Sequence, residues 1–296
     1  MIYFLHVPKT AGSTIRSILA QNFNTEARFF WRNSNQDKKY LTELLSREPG
    51  KTKLIAGHFA YGLHETLATP GSYFTILRHP VDRFVSEYNY FDKVVRKKQG
   101  SQLKAFVNNP AYKTIIDNGA SLRDFTNNSP TYMDNIFVRM ISGRVGLNRD
   151  VTASDLEDAK ECLSCNVDVF GIAERFDESA LLIARQYKFR CPIYVMKNVG
   201  DGQEVLPDLV DRIADKQKYD IELYNYALNI FDRHIARNGE LFQSALVEFQ
   251  SAVREVNRRY DRPTHQDFGV MSEPDAIALD AGRACKTVER YLRQEL

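Results

Sequence analysis

The first residues that could do chemistry lie near the amino terminus, in the segment Pro8-Lys9-Thr10-Ala11-Gly12-Ser13-Thr14. Lys9 supplies a positive charge, and Gly12 allows the backbone to approach a ligand closely. The threonines and the serine add hydroxyl donors. Between a strand and a helix, such a segment binds an anion, because backbone amides and the helix dipole face the same way. It is not a G-x-x-x-x-G-K-[ST] motif, since Lys9 precedes the glycine.

A second polar element follows the apolar stretch 73–77 and reads Arg78-His79-Pro80-Val81-Asp82-Arg83-Phe84-Val85-Ser86-Glu87-Tyr88. Pro80 predicts the first turn of a helix, which places Ser86 about two turns further on. A guanidinium with a neighbouring hydroxyl suits a dianionic phosphate. Arg83 is explained equally well by an ion pair with Glu87 on the same helix face.

His58 is the candidate general base. It lies near the end of the predicted strand 53–59. The carboxyl ends of parallel strands meet at the edge of the sheet where ligands bind, so His58 is expected at that edge. Its imidazole titrates near physiological pH, so it could take a proton from an attacking hydroxyl. A structural histidine at a strand end remains an alternative, and Glu65 or Glu87 could also serve as the base. We expect His6 to order the loop rather than to react.

Strands are predicted at 2–7, 53–59, 73–77, 167–173 and 192–196, with helical patterns between them. Strands that alternate with helices favour an α/β fold, namely a P-loop-type parallel sheet flanked by helices. The sequence after Pro207 predicts a helical C-terminal annex.

Less regular stretches separate these elements. Residues 97–130 predict an insertion with one or two short helices. A helix is expected from about 130 to 141, and another from Thr152 or Ser154. The segment Asn198–Gly202 predicts a mobile loop.

Composition narrows the class of protein. The 296 residues carry a net charge of only +2, which does not predict a nucleic-acid partner. No stretch is long and apolar enough to predict a transmembrane segment. Cys162 and Cys165 form a single C-x-x-C pair without nearby histidines, so two free thiols are expected and no metal site is predicted.

The phosphate loop and the Arg78–Tyr88 element together resemble the two nucleotide signatures of the PAPS-dependent sulfotransferases. These signatures are V-P-K-T-x-x-[ST]-[ST] and R-x-P-x-x-R-x-x-S-x-[YF], and they occur here in the same order. The nearest likeness is to the branch of heparan sulfate 2-O-sulfotransferase. The segments 170–177 and 219–224 are similar to later blocks of that family, and the resemblance covers about residues 1–240.

The resemblance implies a role for each matching residue. Lys9 would contact the bridging oxygen or 5′-phosphate of PAPS (3′-phosphoadenosine 5′-phosphosulfate) and stabilise charge on the leaving group. Arg78 and Ser86 would hold the 3′-phosphate. The remaining loop residues, Thr10, Ala11, Gly12, Ser13 and Thr14, would cradle the 5′-phosphosulfate. Gly57-His58-Phe59 matches the segment of the family's catalytic histidine, although Ala56 stands where that pattern has a second histidine.

We therefore expect a sulfotransferase that moves the sulfuryl group of PAPS to a hydroxyl acceptor, with a carbohydrate as the expected acceptor, and releases PAP without a metal. The expected domain spans residues 1–240, with 241–296 packed against it as a helical extension. That extension carries an apolar stripe on one helix, and a homodimer formed through it is an alternative to packing on its own domain. The basic run at 93–104 followed by Arg123 could face an acidic glycan or only solvent.

The lack of an N-terminal anchor predicts a cytoplasmic, bacterial enzyme. Two alternatives remain open: a phosphoryl-transfer enzyme with a variant phosphate loop, and a non-catalytic protein that binds a nucleotide. Against the first, the apolar stretch 73–77 ends in Arg78 rather than in an aspartate that could hold Mg²⁺.

Overall fold

The computed structural model describes residues 1–31, 35–97, 101–146, 149–196, 206–259 and 285–294. Its centre is a sheet with the strand order β2-β3-β1-β4-β5, and every pair of neighbours is parallel. The strands are β1 Ile2–Leu5, β2 Arg28–Trp31, β3 Leu54–Gly57, β4 Ser72–Leu77 and β5 Val169–Ile172. The predicted α/β fold with a parallel sheet flanked by helices is confirmed.

Helices follow the strands and predominate in the described residues after β5. They are α1 Gly12–Asn22, α2 Asn35–Arg47, α3 Leu63–Thr66, α4 Pro80–Lys97, α5 Ser101–Val107, α6 Pro110–Asp117, α7 Leu122–Asn128, α8 Ile136–Ser142, α9 Ala153–Cys165, α10 Phe176–Gln186, α11 Pro207–Lys216, α12 Lys218–Arg237, α13 Gly239–Arg259 and α14 Lys286–Leu292. None of the described helices combines the length and the apolar character needed to cross a bilayer.

The register of the sheet places the candidate functional segments at one edge. Phe4 of β1 pairs with Ala56 of β3 on one side and with Phe74 of β4 on the other. Because the three strands run parallel in this register, the segments that follow them leave the sheet together. These segments carry the phosphate loop, His58 and Arg78.

The strands observed differ from those predicted in two places. The edge strand β2 was missed, because a run of four residues between polar segments gives no periodic signal, and its pairing with β3 defines it. The stretch 192–196 forms no strand. Side chains satisfy its backbone instead: Gln21 donates to the carbonyl oxygen of Ile193 at 2.9 Å, and Asn257 donates to that of Tyr194 at 3.0 Å.

The helix expected from about 130 to 141 is divided in two. A short 3-10 turn at Thr131–Met133 precedes α8, and Asn135 lies between them with a φ of 54°. Asn135 accepts from the backbone amides of Tyr219 and Asp220, while the Asp220 carboxylate accepts from the first amides of α8. The helix begins anew because α12 supplies these partners, and they are distant in sequence.

The insertion holds three helices, α5 to α7, rather than the one or two expected. They form a second hydrophobic cluster with α4 and α11, separate from the main core. In the annex, Phe242, Phe249 and Val253 are buried in the main core. The boundary at residue 240 remains a prediction. The loop expected at 198–202 lies outside the described residues.

Candidate active site

The phosphate loop joins β1 to α1 in a tight path. Lys9 and Ala11 both take the left-handed backbone conformation, with φ values of 69° and 62°. Residues other than glycine rarely do so, and such strain is often found at ligand sites. Ala11 is the N-cap of α1, and its carbonyl oxygen accepts from the amides of Thr14 and Ile15 at 3.0 and 3.1 Å. The preceding amides of the helix start are left for an anion.

The threonine next to the lysine is used inside the loop. Thr10 is fully buried, and its hydroxyl donates to the carbonyl oxygen of Val7 at 2.8 Å. The hydroxyl of Thr10 is therefore already engaged, and the expected contact of Thr10 with phosphosulfate would be made by its backbone amide. The half-exposed Ser13 and the buried Thr14 begin α1 itself, so their amides belong to the positive end of the helix.

Gly12 is required for a reason that the sequence did not reveal. A Cβ atom at this position would lie 1.7 Å from Nε2 of His6. The His6 ring is 7% exposed and stacks on Phe4, with ring centroids 5.1 Å apart. The glycine thus leaves room for a buried imidazole beneath the start of α1, in addition to any approach of a ligand.

His58 follows β3 and is fixed by the loop. Its Nδ1 lies 2.7 Å from the carbonyl oxygen of His6, and the centroids of the two rings are 4.5 Å apart. A carbonyl only accepts, so Nδ1 must carry the proton, and in the neutral ring Nε2 keeps its lone pair. Burial lowers the pKa of His58, and the nearby cations Arg16 and Lys9 lower it further, although the hydrogen bond to His6 opposes them. The ring is therefore held in the form that a general base needs.

Lys9 points toward α4. Its Nζ lies 4.6 Å from the ring centroid of Tyr90, a cation–π distance. Burial lowers the pKa of Lys9, and so do the cations Arg78, Arg83 and Lys93, whereas Glu87 raises it. A lysine in this setting is a partly desolvated charge, which interacts strongly with a neighbouring anion.

Arg78 connects the two signature segments. It follows β4, and its Nη1 donates to the carbonyl oxygen of Lys9 at 3.3 Å. Ser86 lies half-buried on α4, on the helix that begins two residues after Arg78. The elements that carry Lys9, Arg78 and Ser86 therefore meet at the same edge of the sheet as His58.

Glu174, after β5, supports the start of α4 and was not singled out from the sequence. Its Oε1 accepts from the backbone amide of His79 at 2.8 Å, and its Oε2 accepts from the hydroxyl of Tyr224 at 3.0 Å. The block 170–177 and the block 219–224 thus converge on the segment beside Arg78. Their likeness to family blocks was the available signal, but it did not indicate this contact.

Other sequence candidates lie elsewhere or are engaged. His64 contacts the hydroxyl of Tyr73 at 3.0 Å through Nδ1, and the side chain of Glu65 is 77% exposed on α3. In the basic run, Arg96 pairs with Asp92 and Arg123 with Asp208. Lys98 lies outside the described residues.

The side chains that could bind a metal ion or form a disulfide are scattered in the described residues. The described ranges contain no group of three or more histidine, cysteine or carboxylate side chains arranged for a metal. Cys162 and Cys165 are free thiols, as expected.

Comparison with known proteins identifies the family. The sequence pattern of the sulfotransferase family matches residues 1–227. Heparan-sulfate 6-O-sulfotransferase 1 of Homo sapiens is 26% identical over 272 residues, which covers 79% of this chain and 66% of the relative. The protein of the same name from Mus musculus is 25% identical, with the same coverage of 79% and 66%. Heparan-sulfate 6-O-sulfotransferase 2 of Danio rerio is 26% identical over 272 residues, covering 78% of this chain and 58% of the relative.

The chain thus spans just under two thirds of the length of the human and mouse relatives. These relatives are 6-O-sulfotransferases, and the likeness to the 2-O branch remains a prediction. The match over residues 1–227 includes both nucleotide signatures, the segment of His58 and the block at 219–224. The chain belongs to the sulfotransferase family.

Proposed function

We propose that this protein transfers the sulfuryl group of PAPS to a hydroxyl of a carbohydrate, with His58 as general base. The observation that carries the proposal is the 2.7 Å hydrogen bond from His58 Nδ1 to the carbonyl oxygen of His6. It fixes the tautomer that leaves Nε2 free to accept a proton. It also ties the base to the segment that enters the phosphate loop.

The loop has the features that a phosphosulfate requires. Backbone amides at the start of α1, the left-handed turn at Ala11 and the charge of Lys9 all favour a bound anion. Arg78 and Ser86 are the groups that would hold the 3′-phosphate, and a guanidinium suits a phosphate oxygen pair. Thr10, Ala11, Gly12, Ser13 and Thr14 would surround the 5′-phosphosulfate.

In the proposed reaction the acceptor oxygen attacks sulfur as the bond from sulfur to the phosphate oxygen breaks, and PAP leaves. His58 Nε2 takes the proton of the acceptor hydroxyl. Lys9 stabilises the negative charge that develops on the leaving oxygen. Burial lowers the pKa of His58, and the cations Arg16 and Lys9 add to this effect, which favours the neutral imidazole that a base needs before the reaction.

A carbohydrate acceptor is proposed from the relatives, whose names describe heparan-sulfate 6-O-sulfotransferases. The chain's own contribution is an edge of the sheet with cations on both sides, Arg16 on α1 and the exposed Lys93 on α4. Such an edge favours an anionic acceptor over a neutral one.

Binding and transfer test the proposal separately. Isothermal titration with PAP and with ATP, each with and without Mg²⁺, should show tight binding of PAP that does not depend on the metal. Transfer of label from [35S]PAPS to a panel of sulfated and unsulfated glycans should then give a labelled product. A preference for ATP with Mg²⁺ would favour phosphoryl transfer, and PAP binding without transfer to any glycan would favour a non-catalytic role.

A further inference from the structure

Helix α4 carries two arginine–carboxylate pairs of the same spacing, which differ mainly in the exposure of the arginine. Arg83 Nη1 is 3.9 Å from Glu87 Oε2, and the two side chains are 0% and 15% exposed. Arg96 lies 2.6 Å from Asp92, and these side chains are 75% and 21% exposed. An exposed pair contributes little to stability, whereas a buried charge must be compensated.

The buried pair is incompletely hydrogen-bonded. A separation of 3.9 Å is too long for a hydrogen bond. Within the described part of the chain, Glu87 Oε2 and both Nε and Nη1 of Arg83 have no hydrogen-bond partner. The remaining contact of Arg83 is a long one, from Nη2 to the carbonyl oxygen of Met133 at 3.5 Å. Arg83 therefore does not form a hydrogen bond with Glu87. The Glu87 carboxylate can also interact with other cations nearby.

Lys9 is such a neighbour. Glu87 and Tyr90 stand three residues apart on α4 and so share a helix face. Lys9 Nζ lies over the Tyr90 ring at 4.6 Å from its centroid. The cations around Lys9 are Arg78 from the end of β4 and Arg83 and Lys93 from α4, and their charges together with burial lower its pKa. Glu87 is the acid that opposes them. Toward β3, Lys9 faces His6 and His58, whose pKa values burial lowers.

We propose that Glu87 is a positioning residue that keeps Lys9 protonated, and that Arg83 limits how strongly it does so. The inference rests on the proposed function, because a neutral amine could not stabilise the leaving group. It also gives Glu87 a role other than that of a general base.

The charge of Lys9 can be measured without turnover. Trace labelling with acetic anhydride between about pH 7 and 11, read by mass spectrometry on the Lys9 peptide, reports the fraction of neutral amine. In Glu87→Gln the midpoint should fall by about one pH unit, since a nearby opposite charge is lost. In Arg83→Met it should rise, since a nearby like charge is lost. Glu87→Asp keeps the charge and should lie nearer to the wild type than Glu87→Gln does.

Asp92→Asn is the matched control, because it removes a carboxylate from the same helix and breaks a pair of the same spacing. Its midpoint should equal that of the wild type. Opposite shifts in Glu87→Gln and Arg83→Met cannot arise from a general loosening of the fold. An unchanged midpoint in Glu87→Gln, or shifts of the same sign in both variants, would overturn the inference. If Glu87→Gln does not fold, an unchanged midpoint in Arg83→Met would still overturn it.

Turnover separates this inference from the proposed function. The loss of kcat at high pH should move to lower pH in Glu87→Gln and stay in place in Asp92→Asn. Opposite labelling shifts in a protein that transfers no sulfuryl group would leave the charge coupling intact and remove the proposed function. Normal transfer with unmoved midpoints would remove the coupling alone. A loss of transfer at every pH in Glu87→Gln, with Lys9 still charged, would make Glu87 the base instead.

Discussion

On the β3 side of the phosphate loop, His58 has the cations Arg16 and Lys9 as its charged neighbours, whereas on the α4 side Lys9 has the carboxylate Glu87. Burial lowers the pKa of both His58 and Lys9. For a base this effect is useful, because the imidazole must be neutral. For a residue that stabilises negative charge it is harmful, because the amine must be protonated. The placement of one acid on one side reconciles the two requirements.

The two sides also differ in how they are built. His58 belongs to a row of rings, in which Phe74 stacks on Phe4, Phe4 stacks on His6, and the centroid of the His6 ring lies 4.5 Å from that of His58. Glu87 belongs to α4, whose buried face packs against the insertion helices in the second cluster. The proposed active site takes its base from the first region and Glu87 from the second. A change on one side should therefore alter proton transfer, and a change on the other should alter leaving-group stabilisation.

The largest expected effect comes from removing the base. His58→Ala should lower sulfuryl transfer by about 10²- to 10⁴-fold, the usual contribution of general base catalysis. The affinity for PAP, measured by calorimetry, should change little, because His58 is placed to contact the acceptor. Turnover close to that of the wild type would exclude His58 as the base.

A smaller loss is expected on the other side. Lys9→Ala should lower kcat by about 10- to 100-fold, since a charge-assisted contact contributes about 1.5–3 kcal/mol. The affinity for PAPS should weaken much less, because the bridging oxygen of PAPS gains its negative charge only as the bond to sulfur breaks. Equal losses in kcat and in PAPS affinity would mean that Lys9 is an ordinary phosphate ligand.

Gly12→Ala probes the packing between the loop and the His6 ring. The added methyl would lie 1.7 Å from His6 Nε2, so the ring or the loop must move. Overpacking of this kind costs about 1–3 kcal/mol, and the melting temperature should fall by several degrees. The double variant with His6→Ala should recover much of that stability. If it is no more stable than Gly12→Ala alone, the clash is not with the ring.

The smallest expected effect is a shift of pH dependence. Because the pKa of His58 is lowered from 6.5, kcat/KM should remain high below pH 6.5 and fall only as His58 becomes protonated at lower pH. Arg16→Met removes a cation that lowers this pKa, so the acidic limb should move to higher pH by a fraction of a unit. A limb that does not move in this variant would show that Arg16 has no electrostatic influence on the base.

The elements that could be predicted from sequence are those whose signals are local. Lys9 and Gly12 lie where the chain passes from an apolar strand into the start of helix α1, and Pro80 marks the start of α4. Thr152 likewise caps α9 through its side chain, as its position before an acidic first turn predicts. By contrast, β2 and the division before α8 depend on β3 and α12, and no pattern within these segments indicates such partners.

The sequence by itself determined the family, the α/β fold and the residues that carry the proposed chemistry, because motif order and short-range periodicity are local properties. Only the tertiary structure decided the burial, the hydrogen bonds and the charged neighbours of these residues, on which their protonation depends. The hydrogen bond from His58 to His6 joins residues 52 positions apart, and the contact of Arg78 with Lys9 joins residues 69 apart. Tautomer, burial and the balance of charge depend on what lies nearby in space, and the parallel sheet brings those groups together.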